Sequence, residues 1–377
     1  MTPVPVLVAA RRTPIGTAGH GLAALTVADL AAPVLRTVAG ELRAAGIGAP
    51  IDDVVLGNCL GPGGDPARIA ALQAGLGTRV PGVTVDRQCG SGLDAVMQAA
   101  LRIRSGWDEL ILAGGAESAS TAPWRYWPPV GEAEPVRYTR APFAPAGFPD
   151  PDMGVAADDL ARVRGIGRER QDEYAARSHG RAAAADFAAE LVPVGGLTRD
   201  QRIRPGMTAA RLARLRPSFG TGGTATAGNS CGISDGAAFV GVTTERLAAA
   251  AGLPALRVVG CAVAGSDPAL PGLGPVPAIR AVLRRADRRV GDLGVVEITE
   301  AFASVVLAVA DELGLDEDLI CPEGGAIAMG HPWGASGAVL LVRLAARMLR
   351  PDGPELGLAA CAIGGGQGVA VLVERVR

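Results

Sequence analysis

Arg87-Gln-Cys-Gly-Ser-Gly-Leu93 runs into an apolar-periodic stretch, Leu93 to Ile103, which leads into a strand-like run, Glu109 to Ala113, ending at Gly114-Gly115. Apolar spacing of helical period followed by a short aliphatic run predicts a helix and then a strand. Late in the chain, Gly334-Ala-Ser-Gly337 opens a similar helix, Ala338 to Leu349. That helix leads into Leu356 to Ile363 and ends at Gly364-Gly-Gly366. Upstream, Val54-Val-Leu-Gly57 has its counterpart in Val295-Val-Glu-Ile298. The offsets are all roughly 240–250 residues, as two copies of one α/β unit would give. The fold class expected is therefore α/β: two duplicated core halves, with buried and mostly parallel sheets sandwiched by helices.

Between the copies lies a different kind of segment. Pro123 to Asp152, rich in proline and aromatics, predicts an irregular cover loop. Asp158 to Glu190 is helical by its alanine content and apolar spacing. The expected domains are an N-terminal half over 1–117, completed by about 242–255, an inserted loop domain over 118–241, and a C-terminal half over 256–377. At 377 residues the chain can bury a core of real size. With aromatics at 3%, that core must pack through Ala, Val, Leu and Gly.

Composition excludes several chemistries. All 36 basic residues are arginine, so no lysine can form a Schiff base, hold pyridoxal phosphate or complete a Walker A loop. A net charge of −2 with scattered basic residues argues against nucleic acid as a partner. No apolar run approaches the ~20 residues of a membrane helix. The six cysteines, Cys59, Cys89, Cys231, Cys261, Cys321 and Cys361, form no C-x-x-C pair, which predicts free thiols in a reduced, cytoplasmic setting. Three histidines make a histidine-rich metal site improbable.

Two residues stand out as candidates for chemistry. Cys89 sits where a glycine-rich turn enters a helix, and unpaired N–H groups and the helix dipole lower a thiol's pKa at such a place. It reads equally as a small buried cysteine beside a tight turn. His331, between Gly330 and Pro332 in a loop before the equivalent helix of the second copy, is a natural base for a thiol. His20 and His179, in polar turn and helix contexts, read as surface residues. Gly364-Gly-Gly-Gln-Gly368 either presents N–H groups to an oxyanion or is a tight turn.

Several blocks in order resemble the thiolase family nearly end to end. They are Ala9-Ala-Arg-Arg-Thr-Pro-Ile-Gly16, Arg87 to Leu93, Ala113-Gly-Gly-Ala-Glu-Ser118, Gln171 to Ser178, Thr226-Ala-Gly-Asn229, Glu300-Ala-Phe-Ala303 and the His331 and Gly364 loops. The resemblance implies a thiolase-like fold in which Cys89 takes an acyl group from acyl-CoA and His331 activates it and helps to bind the thioester oxygen. Backbone N–H groups of Cys89 and Gly364 would form a second oxyanion hole. Thr299 would hold a catalytic water, and Arg204, Ser230, Cys231, Met153 and Phe302 would line the coenzyme A site beneath the insert. Coenzyme A is then substrate or product, with no tightly bound cofactor. The acceptor is left open, and a homodimer or homotetramer follows by analogy.

The pattern also breaks. The family's second reactive cysteine stands where this chain has Ala362, with Cys361 one residue early. Alternation along a strand then predicts that Cys361 faces away from the site, unless a bulge rescues it. Thr299 replaces the family's asparagine, and Cys231 a serine. These departures favour acyl transfer from Cys89 to an acceptor that needs no α-proton abstraction: an amine, a hydroxyl or a pre-formed carbon nucleophile. The alternatives are an ordinary acetyl-CoA acetyltransferase or 3-ketoacyl-CoA thiolase using a displaced Cys361, and a retired thiolase kept as a scaffold.

Overall fold

The computed structural model describes residues 2–131 and 133–376. In the first half the strands are β1 (Pro5–Arg12), β2 (Gly16–Thr17), β3 (Asp53–Gly57), β4 (Val83–Val85) and β5 (Leu110–Ser118), with helices α1 (Val27–Ala44), α2 (Pro66–Gln73) and α3 (Ser91–Ser105). The middle of the chain adds β6 (Arg125–Trp127), β7 (Val136–Tyr138), α4 (Met153–Arg164), α5 (Arg168–Ala184) and α6 (Ala209–Leu212). The return to the sheet brings β8 (Ser234–Thr244), α7 (Glu245–Ala250) and β9 (Leu256–Gly265). The second half continues with α8 (Pro275–Arg285), β10 (Val295–Ile298), α9 (Ala303–Leu313), α10 (Ala326–Met329), α11 (Trp333–Met348), β11 (Leu356–Ile363) and β12 (Gln367–Arg375).

The main sheet runs β10-β11-β12-β9-β1-β8-β5-β3-β4. It is two half-sheets joined where β1 meets β9 through Val6 opposite Arg257 and Leu7 opposite Leu256. Among the described strands, β3–β4, β3–β5 and β10–β11 pair in parallel. The expected mostly parallel sheets are therefore mixed, because β8, β9 and β12 each return antiparallel beside their neighbours. Helices α3 and α11 fill the middle between the half-sheets, in one apolar cluster with strand residues from both. Helix α1 and helices α8 and α9 cover the two outer faces.

Glycine makes the central layer this thin. A Cβ on Gly92 of α3 would stand 2.7 Å from the Ala338 nitrogen of α11, so the two helix starts touch backbone to backbone. Gly114 does not end β5, as its sequence suggests. A Cβ there would strike the Ala238 carbonyl, so glycine admits β8 and the strand runs on to Ser118.

The insert differs from its expected outline in three ways. β8 pairs with β5 from Asp235 to Thr243, so the excursion ends near Ser234 rather than 241. The cover loop contains the β6–β7 hairpin, where Trp127 stacks on Tyr138 and Arg137 lies over Trp124. The helical stretch is two helices, broken at Gly165 with φ +66°. A buried ion network ties the insert to both halves: Glu190 accepts from Arg12 at 2.6 Å and from Arg343, while Asp200 binds Arg12 at 2.7 Å.

Candidate active site

Cys89 lies between β4 and α3 on a turn whose shape is set by short polar links. Gln88 adopts φ +49°, a left-handed conformation that is costly for a non-glycine residue. Asp86 accepts from the Gln88 N–H at 2.7 Å, and Ser91 Oγ accepts from the Arg87 N–H at 2.8 Å and donates to the Gln88 carbonyl at 2.6 Å. The thiol does not have the lowered pKa expected of a helix start. Burial pushes it well above the ordinary thiol range, helped by the neighbouring thiols Cys361 and Cys231. Desolvation outweighs the dipole, so the resting group is a neutral thiol that needs a base.

His331 is held at the matching start of α11. Its backbone N–H donates to the Gly232 carbonyl at 3.0 Å and to Ser234 Oγ at 3.2 Å. On the ring, Nδ1 lies 2.6 Å from Ser336 Oγ. Burial lowers its pKa to about 4, so the imidazole is neutral at pH 7 and able to take a proton. Beneath this loop Glu117 is a buried carboxylate accepting from the backbone N–H groups of Cys59 (3.0 Å), Leu60 (3.2 Å) and Gly334 (3.1 Å). It clamps the α11 start against the loop after β3, and burial raises its pKa.

β11 pairs with β12 in unbroken register from Leu356–Glu374 to Ile363–Gln367, so there is no bulge. Alternation holds, with the faces opposite to expectation. Cys361 is buried on the face toward α3, where its Sγ donates to the Cys89 carbonyl at 3.3 Å and to the Ala362 carbonyl at 3.1 Å. Ala362 packs on the other face, against the α8–α9 cluster. Cys361, expected to face away from the site, thus touches the Cys89 backbone while being fully buried, and Ala362 is the half-buried residue of the pair. Parity was counted from Ala362 as the site-facing position, and β11 presents its odd-numbered residues to α3. Burial raises the Cys361 thiol to about 12; the Thr299 hydroxyl opposes that rise but is not in hydrogen-bonding geometry.

Gly364 opens the turn after β11, and Phe143 of the insert closes over it, 2.7 Å from where a Cβ would be. Asn229 to Cys231 zips onto the loop after β10: the Cys231 N–H donates to the Ala301 carbonyl at 2.9 Å, and Ser230 bridges Phe302. Phe302 meets Phe219 edge-on at 5.7 Å, and Gly154, next to Met153, lies under the same Phe219 ring. Burial raises the Cys231 thiol to about 12, against the pull of Arg202. Arg204 stands exposed near Arg202 and His179. Cys89 thus has the Cys361 and Cys231 thiols and Glu117 as electrostatic neighbours, His331 sits at the start of α11, and Arg204 is exposed.

His179, expected at the surface, is buried with its pKa lowered to about 4. Sequence reasoning passed over Ser336, Glu117 and Glu300. Glu300 accepts from Tyr174 at 2.8 Å, Ser178 at 2.7 Å and the Ile327 N–H at 3.1 Å, which fixes the Thr299 loop. The signal available for Ser336 was its place in the Ser-Gly pair that both helix openings share, Ser91-Gly92 and Ser336-Gly337. Among the described residues no acidic, cysteine and histidine cluster could hold a metal ion, and no helix is long and apolar enough to cross a membrane.

Residues 5–246 match the family model described as thiolase, N-terminal domain, and 253–375 that of thiolase, C-terminal domain. The acetyl-CoA acetyltransferase of Escherichia coli (strain K12) is 42% identical over 392 residues, covering 98% of this chain and 99% of that protein. The 3-oxoadipyl-CoA/3-oxo-5,6-dehydrosuberyl-CoA thiolase of the same organism is 41% identical over 97% and 98%. The crystal structure of the Bacillus anthracis acetyl-CoA acetyltransferase superposes with a TM-score of 0.90 at 37% identity, covering 100% of this chain and 99% of that one. The chain belongs to the thiolase family and is a CoA-thioester-dependent acyltransferase of that type.

Proposed function

We propose that the protein is a carbon–carbon thiolase, acting on short 3-ketoacyl-CoA and acetyl-CoA, with Cys89 as nucleophile, His331 as its base and Cys361 as the second thiol. The observation that carries this reading is the Cys361 Sγ lying 3.3 Å from the Cys89 carbonyl, which puts a second thiol beside the nucleophile's own residue. It counts against the expectation of an acceptor that needs no α-proton abstraction, which rested on Ala362 and on Cys361 facing away. It also weighs against a retired scaffold.

In the thiolytic direction the Cys89 thiol gives its proton to His331 Nε2 and its sulfur attacks the 3-keto carbonyl. Collapse of that adduct breaks the Cα–Cβ bond, leaving an acyl group on Cys89 and an enolate of acetyl-CoA. Cys361, a neutral thiol with its pKa raised to about 12, protonates the enolate carbon. Free coenzyme A then takes the acyl group from Cys89. Its thiol proton ends on the Cys361 thiolate, and the His331 proton returns to Cys89. The N–H groups of Cys89 and Gly364 and the His331 ring serve the developing oxyanions. Thr299 takes the family asparagine's place, and Arg204, Ser230, Cys231, Met153 and Phe302 line the coenzyme A path.

The six cysteines are all free, which supports a reduced cytoplasmic setting. The exposed Trp124, Tyr126, Trp127 and Val136 of the hairpin support a homo-oligomer. Intact-mass measurement after acetyl-CoA tests the first step. One acetyl group should map to the Cys89 peptide and be absent from Cys89→Ala; an undiminished adduct in that variant would remove Cys89 from the role.

A further inference from the structure

Behind His331, the strand β10 and one stripe of α11 line a small, largely apolar pocket of about 20 Å³ with a few polar groups on its wall, enough for one water. The α11 stripe is Ser336, Val339, Leu340 and Arg343, and β10 contributes Glu297 and, just past its end, Thr299 on the same face. Three buried polar atoms of these residues have no partner: Glu297 Oε2, Thr299 Oγ1 and Arg343 Nε. Buried polar groups are rarely left unpaired, and unpaired polar groups on the wall of a pocket of this volume are what an ordered water would satisfy.

We propose that Glu297, Thr299 and Ser336 hold one structural water, and that Glu297 acts through it and Ser336 as a positioning residue that sets the tautomer of His331. As base for Cys89, His331 needs a free Nε2 lone pair, so Nδ1 carries the hydrogen and donates to Ser336 Oγ. The serine hydroxyl must then donate onward, and the water accepts. As oxyanion donor, His331 carries the hydrogen on Nε2 and accepts at Nδ1 from Ser336, whose oxygen then accepts from the water. The ring exchanges one hydrogen at Nδ1 for one at Nε2 through solvent or substrate protons, and the hydroxyl and the water reverse direction to match each tautomer.

The protonation of Glu297 biases the choice. Its neighbours are Arg343 from α11, Glu300 from the following loop, and Cys321 and Glu323 from the segment before α10. Arg343 is already engaged by Glu190 and Glu323, so its pull on Glu297 only partly offsets burial. Burial raises its pKa to about 8. Below that value the neutral carboxyl can donate or accept, and both tautomers are served. Above it the carboxylate only accepts; with one water hydrogen on Glu297 and the other on Thr299 Oγ1, the water can only accept from Ser336, which selects the Nδ1–H tautomer.

The idea rests on His331 as the base, and its test does not use catalysis. With only three histidines in the chain, ¹⁵N-histidine NMR of the full-length protein can follow the His331 ring from about pH 6 to 10. The wild type should shift toward Nδ1–H with an inflection near 8, and Glu297→Gln should show none. Ser336→Ala, which leaves Glu297 in place, should also lose the inflection. A flat wild-type profile, or one that survives in either variant, would overturn the proposal. Failure of the base assignment is seen separately, as unimpaired acylation of Cys89 in His331→Ala.

Discussion

Replacing Glu297 by glutamine should stabilise the fold by an amount that grows with pH. The carboxyl is fully buried and moves from its ordinary value of 4.5 to about 8 on folding, chiefly through desolvation. The folded state therefore keeps a proton that the unfolded chain releases, so stability falls as pH rises from about 4.5 to about 8 and levels beyond. Each pH unit in that window is worth about 1.4 kcal/mol. Glutamine has the same shape and does not titrate. Between pH 5 and pH 7 the wild type should lose about 2–3 kcal/mol against the variant. With an unfolding entropy of roughly 2.1 cal/mol/K per residue, that widens the gap in melting temperature by about 3 °C. Scanning calorimetry at one scan rate and both pH values reads the gap directly. A gap that stays constant, or narrows as pH rises, would refute the account of Glu297 as a buried neutral acid.

Other consequences follow from the same geometry. His331→Ala should slow acylation of Cys89 by roughly 10²–10⁴ in a stopped acyl-transfer assay while the far-ultraviolet circular dichroism is unchanged. Because burial lowers the His331 pKa to about 4, the wild-type acylation rate should not drop on acidification through 6.5, only on approaching 4; a midpoint near 6.5 would place the ring in solvent. Glu190→Ala strips a shared partner from buried Arg12 and Arg343 and should cost about 3–5 kcal/mol in denaturant unfolding. Gly92→Ala forces α3 from α11 at a 2.7 Å approach and should cost about 1–3 kcal/mol, with a matching loss of activity; a neutral result would mean the central helices can separate freely.

The duplicated helix–strand units were legible because their signals are local: apolar period, glycine at the helix start and a strand-length aliphatic run. β11 spans Leu356–Ile363, as its sequence predicts, and α11 lies within a residue of its expected end. Strand direction was not legible, since β8 and β9 pair across more than a hundred residues of sequence with β5, β1 and β12. Gly114-Gly115 misread as a strand end because glycine serves a turn and a close approach equally well, and only the neighbouring Ala238 carbonyl decides between them. At the site, Cys89 and His331 were visible as outliers of composition and context. The facing of Cys361 was not, because parity along a strand needs one residue of known orientation. Helix-start reasoning also missed the sign of the Cys89 shift, which depends on how deeply other elements bury the thiol.

The claim most exposed to test is that Cys361 is the second thiol. Thiolysis of acetoacetyl-CoA, followed by loss of its enolate absorbance, should be measured for wild type, Cys361→Ala, Ala362→Cys and the double variant. Acylation of Cys89 by acetyl-CoA serves as a control in each. The account predicts brisk thiolysis by wild type and a fall of roughly 10²–10⁴ in Cys361→Ala, with Cys89 acylation retained. Wild type that acylates Cys89 but barely thiolyses, unchanged by Cys361→Ala and rescued by Ala362→Cys, would contradict it. The missing function would then belong to position 362, on the opposite face of β11.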